Sequence, residues 1–214
     1  MEKKKIIYVY DAHCSWCYAF SGEMKKLHNK YQNQLDFEVI SGGMVVGDRV
    51  GLVKDMMPTK NLLAIYDRIM QMTGTAFGKD YLAKVEKGEV YVNSEIPAIA
   101  LSVFKSYNKD QVVDFAHQLQ HQLFVEAKSV NDENIYRDLA TEFGVDGEEF
   151  IEKMKSDTYR EAARYDFALG RQLQVTGYPQ VLVQVGETQF YLIAKGWTDF
   201  GTLEGRLNQV LAGA

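Results

Sequence analysis

Residues 6–40 read as strand, helix and strand, and this opening constrains the fold more than any other feature of the chain. Ile6 to Tyr10 is a short run of β-branched and aromatic residues bounded by charge, the mark of a buried strand. From Cys14 onward, Cys17, Phe20, Met24 and Leu27 recur at intervals of three and four, which predicts a helix running to about Tyr31. Leu35 to Ile40 reads as a second strand and ends in Ser41-Gly42-Gly43. Two strands joined through one helix lie parallel, with a right-handed crossover.

The middle of the chain changes character. From about Val45 to Gln174 the periodicity is helical and strand signal is nearly absent. Asn93-Ser94 with Pro97 opens one helix, whose apolar face carries Ile99, Val103 and Phe104. Val112, Phe115, Leu119 and Leu123 line the next. Asn131 is expected to cap a helix that stops at Gly144, Asp146 to start a short one, and Asp157 to Leu173 to form the last. Val181 to Val185 and Phe190 to Ala194 then read as a hairpin around Gly186-Glu187-Thr188, followed by an amphipathic helix from Phe200 to Leu211.

Composition narrows the possible partners. The 214 residues suit one domain or one domain with a large insertion, and such a chain buries a core without a covalent staple. The net charge is −5, and no basic block extends beyond Lys3 to Lys5, which argues against nucleic acid. The apolar run Ile6 to Tyr10 falls short of the roughly 7–15 residues of an export signal and the roughly 20 of a membrane span. A cytoplasmic chain with no membrane partner is therefore expected, in a compartment where thiols stay reduced.

Only two cysteines are present, Cys14 and Cys17, and a bridge closing so short a loop would constrain little of the unfolded chain. Their position is more telling than their spacing. At a strand–helix junction, unpaired N–H groups and the positive end of the helix dipole favour a thiolate. Cys14 is expected to be exposed and nucleophilic. Cys17, one turn later, is expected to be more buried and able to resolve a mixed disulfide. Half of a zinc site and a pair of inert buried thiols are the rival readings. Zinc wants four ligands, and beyond this pair the chain offers His13, His28, His117 and His121 but no further cysteine. His117 and His121 have the spacing of a metalloprotease helix. Glutamine stands where the glutamate base would be, so a solvated or partly packed pair is expected and no metal.

A second signal is Val175-Thr176-Gly177-Tyr178-Pro179, directly before a strand. Pro179 reads either as a plain strand-entry residue or as a cis proline that lets the Tyr178 backbone meet an extended peptide.

Together, the dithiol at the first βα junction and Thr176-Gly177-Tyr178-Pro179 before a hairpin and final helix resemble the thioredoxin fold. This is an α/β fold, here with a large all-helical insertion between the βαβ half and the C-terminal ββα half. The helical segment narrows the resemblance to the DsbA-type thiol–disulfide oxidoreductases. Asp11-Ala12-His13-Cys14-Ser15-Trp16-Cys17-Tyr18 is most similar to the FrnE-like branch of cytosolic dithiol–disulfide isomerases. On this reading residues 1–44 and 175–214 form a discontinuous thioredoxin domain, and residues 45–174 form a helical insertion domain.

The resemblance implies that Cys14 attacks, Cys17 resolves, and Pro179 is a cis proline facing the dithiol, with Tyr178 tuning potential and substrate contact. It implies no cofactor beyond a Cys14–Cys17 redox disulfide. The implied partners are protein or peptide thiols and disulfides, with glutathione a further candidate. Ser15-Trp16 departs from the Pro-His pair of the periplasmic proteins. Trp16 cannot supply a histidinium's charge, so a less oxidising couple is expected.

Several neighbours carry two readings each. Asp11 is either a buried acid moving protons to and from Cys17 or a strand-end cap. His13 either stabilises the Cys14 thiolate or is an exposed loop residue. Trp16 either presents an exposed indole to apolar substrate side chains or packs into the core. The five methionines from Met44 to Met72 either flank a groove or fill a helical core. Ser41-Gly42-Gly43 either allows close backbone approach or is only a loop. The expected function is disulfide exchange in the reducing or isomerising direction. A non-catalytic adaptor or redox-sensing binding protein is the alternative. A glutathione-dependent isomerase or transferase on the same fold, in which serine usually replaces Cys14, is disfavoured by the intact pair.

Overall fold

The computed structural model describes residues 4–213. Residues 1–3, where the basic run at Lys3 begins, and residue 214 lie outside the described residues.

The elements follow in chain order. β1 (Lys5–Tyr10), α1 (Ser15–Tyr31) and β2 (Asp36–Ser41) form the predicted βαβ unit. A helical segment follows, made of α2 (Val53–Met56), α3 (Thr59–Thr73), α4 (Lys79–Lys87), α5 (Glu95–Tyr107), α6 (Val112–Phe124), α7 (Glu133–Glu142), α8 (Gly147–Met154) and α9 (Asp157–Gln172). Within that segment β3 (Gly51–Leu52) pairs antiparallel with β4 (Tyr91–Val92), a ribbon too short for period-two alternation to register in sequence. β5 (Gln180–Gln184), β6 (Phe190–Lys195) and α10 (Phe200–Gly213) close the chain.

The main sheet has the order β2-β1-β5-β6. β1 and β2 are parallel, from Lys5 opposite Asp36 to Tyr10 opposite Ser41, while β5 runs antiparallel to both β1 and β6. Alternation along β1 sends its side chains to two cores. Ile6, Tyr8 and Tyr10 join the main core with Phe20, Met24 and Leu27 of α1 and Leu203 and Leu207 of α10. Ile7 and Val9 meet Ile40 and Leu182 in a second core, against Leu169 of α9 and Leu173 just beyond it. Burial on both faces explains why β1 reads as an unbroken apolar run. The C-terminal end of α9, inside residues 45–174, thus covers one face of the sheet.

Polar groups fasten the helical segment to the sheet. Lys105 of α5 bridges Glu38 of β2 at 2.9 Å and Asp166 of α9 at 3.1 Å, and Asp166 also accepts the Ser41 N–H. Burial raises the Asp166 carboxyl above its ordinary range, and the Lys105 charge opposes that rise.

Asp146 and Ser156 cap α8 and α9 through side-chain oxygens. The helix expected from Asn131 is capped instead by Asp132, which accepts the Asn134 N–H. The Asn131 amide is engaged elsewhere, donating to the Tyr91 carbonyl at 3.0 Å.

Candidate functional site

The site forms where β1 ends. Residues 11–14 turn the chain into α1, with the Cys14 N–H donating to the Asp11 carbonyl at 3.0 Å. Cys14 is the N-cap of α1 in extended conformation (φ −82°, ψ 111°), and its side chain makes no capping hydrogen bond. Both thiols are free. Cys17 is 0% exposed, and Cys14 is 8% exposed, where sequence reasoning expects an exposed thiol. Distant chain reaches the Cys14 thiol, which donates to the Tyr178 carbonyl, Sγ to oxygen 3.7 Å, and Met44 and Tyr66 line the same cavity as Cys14. The Tyr178–Pro179 peptide is cis.

Burial pushes the Cys17 thiol well above its usual range. The adjacent Cys14 sulfur adds to the rise, and a backbone hydrogen bond at Asp11 opposes it. The Tyr8 hydroxyl donates to the Cys17 carbonyl from beneath at 3.4 Å.

Asp11 is buried, and both of its carboxylate oxygens are engaged. Oδ1 accepts the His13 N–H and the Ser94 hydroxyl, each at 3.0 Å, and Oδ2 accepts the Met44 N–H at 2.7 Å. One side chain therefore ties the end of β1, the loop after β2 and the start of α5. Ser94 extends the network, its hydroxyl accepting the Val45 N–H.

His13 is buried rather than an exposed loop residue, and its Nε2 lies 3.2 Å from both the backbone nitrogen and the carbonyl oxygen of Asn93. Burial lowers its pKa, against the opposing Asp11 charge and the hydrogen bond at Asn93. The imidazole is thus neutral at pH 7 and brings no full positive charge to the Cys14 sulfur.

Tyr178 is half-buried, and its hydroxyl donates to the Gly42 carbonyl at 2.6 Å. A Cβ at Gly42 would lie 2.2 Å from the Tyr178 ring. Gly43, at φ +68°, lies where a Cβ would meet the Phe167 ring at 2.8 Å. Close approach to the residue before Pro179 is thus what Gly42 provides.

A cavity of about 480 Å³ opens beside Cys14. Ser15, half-buried Trp16, Met44, Leu62 and Ile65 line it, and Arg49 and Arg68 are exposed at its edge. Met56 and Met57 also line it and are 44% and 36% exposed. Of the five methionines, three therefore border this cavity. Met70 packs against the core, and Met72 faces solvent.

Gln120 and Ser94 belong to the site although no local sequence pattern marks them. Ser94 registers only as a helix opener. Gln120 lies inside the His117–His121 stretch, yet its amide reaches the carbonyls of the 11–14 turn. Among the described residues no three His, Cys, Asp or Glu side chains are grouped to hold a metal ion.

His117 is instead a packing residue, with Nδ1 2.7 Å from the Ser21 hydroxyl of α1. Burial, aided by the charges of Lys25 and His121, lowers its pKa to about 4. His13 and His117 both titrate lower folded than unfolded, so the unfolded chain binds more protons under acid. The His117 contribution to stability should fall as pH drops below about 6.5 and level off near 4, by up to about 1.4 kcal/mol per pH unit, and His13 acts in the same direction. Thermal unfolding at pH 7, 5.5 and 4 measures this, and His117→Gln should flatten the profile. A profile for that variant as steep as wild type would contradict the assignment.

The four-stranded sheet, the helix leaving it from a dithiol and the large helical segment define a thioredoxin-fold protein with an elaborated helical layer. The chain belongs to the DSBA-like thioredoxin domain family, whose model matches residues 5–208. A chain from Nitrosomonas europaea proposed to be a protein disulfide isomerase superimposes with a TM-score of 0.86 at 21% identity, over 99% of both chains. The cytosolic disulfide reductase DsbM from Pseudomonas aeruginosa superimposes at 0.80 with 21% identity, over 98% of this chain and 100% of that one. A second structure of that reductase, with glutathione, gives 0.76 at 25% identity over 97% and 99%. The ClpXP adapter protein SpxH of Halalkalibacterium halodurans is 24% identical over 183 residues, which is 83% of this chain but 58% of the adapter. The chain thus spans little more than half the length of that relative.

Proposed function

We propose that this protein is a thiol–disulfide oxidoreductase working through Cys14 and Cys17, as a cytosolic reductase or isomerase of protein, peptide or glutathione disulfides. The observation that carries this reading is the placement of the Cys14 sulfur. It sits at a helix N-terminus, opposite the carbonyl before a cis proline and beside an apolar cavity. The likeness to a cytosolic disulfide reductase, also solved with glutathione, supports it.

The Cys14 thiolate attacks a substrate disulfide, one substrate sulfur leaves and takes a proton, and a mixed disulfide remains. Cys17 then loses its proton and attacks the Cys14 sulfur. The second substrate thiol leaves, and the protein holds a Cys14–Cys17 disulfide. Two molecules of a small thiol such as glutathione return it to the dithiol and leave as their own disulfide. Burial keeps Cys17 protonated, which slows this second step at neutral pH. A slow second step prolongs the mixed disulfide and gives a substrate time to rearrange.

The test is equilibration of the protein in graded glutathione redox buffers, read by alkylation and mass spectrometry. A reversible two-electron transition is expected, with its midpoint near the cytosolic poise. Absence of an intramolecular disulfide at every ratio would end this reading. Trp16 lines the cavity next to the attacking sulfur, so Trp16→Ala should raise KM for a peptide disulfide about fivefold to tenfold and leave the midpoint unchanged. An equal loss on a small disulfide would count against a substrate-binding indole.

The similarity to SpxH favours a second reading, a ClpXP adaptor in which the groove binds and turnover is incidental. An adaptor should hold its partner undiminished when both cysteines are serine.

A further inference from the structure

Gln120, on α6, lies buried behind the turn that carries Cys14. Its Nε2 donates to the carbonyls of Asp11 at 3.1 Å, Ala12 at 3.5 Å and Cys14 at 3.4 Å. Its Oε1, equally buried, has no hydrogen-bond partner among the described residues. A buried unpartnered acceptor is destabilising, and a leucine of similar size would avoid it. The side chain is therefore best explained by what its N–H groups hold.

We propose that Gln120 is a positioning residue for disulfide exchange at Cys14, an inference that rests on the exchange reading above. Helix bonds of α1 secure Cys14 only from its carbonyl onward, through the Tyr18 N–H. The preceding turn is held by the Asp11 carbonyl and carboxylate, and Gln120 is the only side-chain donor to its three carbonyls among the described residues. By drawing those oxygens onto one amide, α6 fixes the backbone of residue 14 and the sulfur it carries. Attack on a disulfide needs the three sulfurs nearly in line, and small displacements of a reacting atom cost rate steeply.

Two variants test this against a peptide disulfide, with kcat and KM measured across pH. Gln120→Leu removes the donor and keeps the volume. It should fold and lower kcat about tenfold, with KM changed less than twofold. Gln120→Glu keeps the length, and its carboxyl can donate only when protonated. Its rate relative to wild type should therefore fall at least about fivefold as pH rises through the carboxyl's titration, whereas the Gln120→Leu ratio should stay flat. With each rate normalised to the folded fraction measured by circular dichroism at the same pH, a structural filler would produce no such divergence. If Gln120→Leu fails to fold, the pH dependence of the Gln120→Glu ratio decides alone. A Gln120→Leu kcat within twofold of wild type, or a Gln120→Glu ratio constant with pH, overturns the proposal while wild type still exchanges disulfides. A wild-type protein that exchanges none overturns the exchange reading and this proposal with it.

Discussion

Cys14→Ser should reduce disulfide exchange to background, while Cys17→Ser should still react once and then stall as a mixed disulfide. The asymmetry follows from position. Cys14 stands at the N-cap of α1 with its sulfur on the cavity, whereas Cys17 is fully enclosed and held protonated by burial. A serine hydroxyl at position 14 does not ionise near neutral pH and cannot replace the thiolate nucleophile. With serine at position 17 the first attack proceeds, and nothing inside the protein displaces the substrate. Non-reducing electrophoresis and mass spectrometry of Cys17→Ser incubated with a peptide disulfide should reveal the adduct on Cys14. Wild-type turnover by Cys17→Ser would remove Cys17 from the mechanism. Undiminished partner binding by the double serine variant, with no exchange by wild type, would favour the adaptor reading.

Gly42→Ala should be the most damaging single methyl group in the site. The added Cβ would sit 2.2 Å from one Tyr178 ring carbon and 2.3 Å from the next, well inside contact distance. The ring must swing, breaking its 2.6 Å hydrogen bond to the Gly42 carbonyl and moving the backbone that faces Cys14. Overpacking of this kind costs about 1–3 kcal/mol, or a Tm lower by about 2–12 °C in a chain of this size. Activity should fall further than the folded fraction does. Tyr178→Phe is the control, losing one hydrogen bond worth about 0.5–1.5 kcal/mol and keeping the ring. Gly42→Ala combined with Tyr178→Ala should recover much of the lost stability, since the clash belongs to the pair. Unaltered melting of Gly42→Ala would refute the close approach.

How much of this was legible beforehand differs from residue to residue. β1 was legible because a strand buried on both faces must be apolar throughout. α6 and α9 were legible because their buried residues recur at helical spacing, whereas α5 is enclosed on every side from Pro97 to Phe104 and was legible from its opening at Asn93-Ser94 and Pro97. The cap at Asp132 was misplaced by one residue, because Asn131 and Asp132 are both good caps locally and only the Tyr91 carbonyl, 40 residues away, engages Asn131.

What the sequence determined by itself, through local spacing and family resemblance, is the order of the elements, the thioredoxin-type frame and the identity of the dithiol. Helix and strand periodicities and a two-residue gap between cysteines are properties of neighbours along the chain. What only the tertiary structure decided is how those parts meet. The Cys14 sulfur faces a carbonyl 164 residues away, and Asp11 joins three segments. His13 is buried and neutral, and a glutamine on α6 holds the turn. Each is a hydrogen bond or an exclusion of water between distant segments. Such interactions leave no period in the sequence, because a single polar side chain on a helix looks the same whether it faces solvent or a carbonyl across the core.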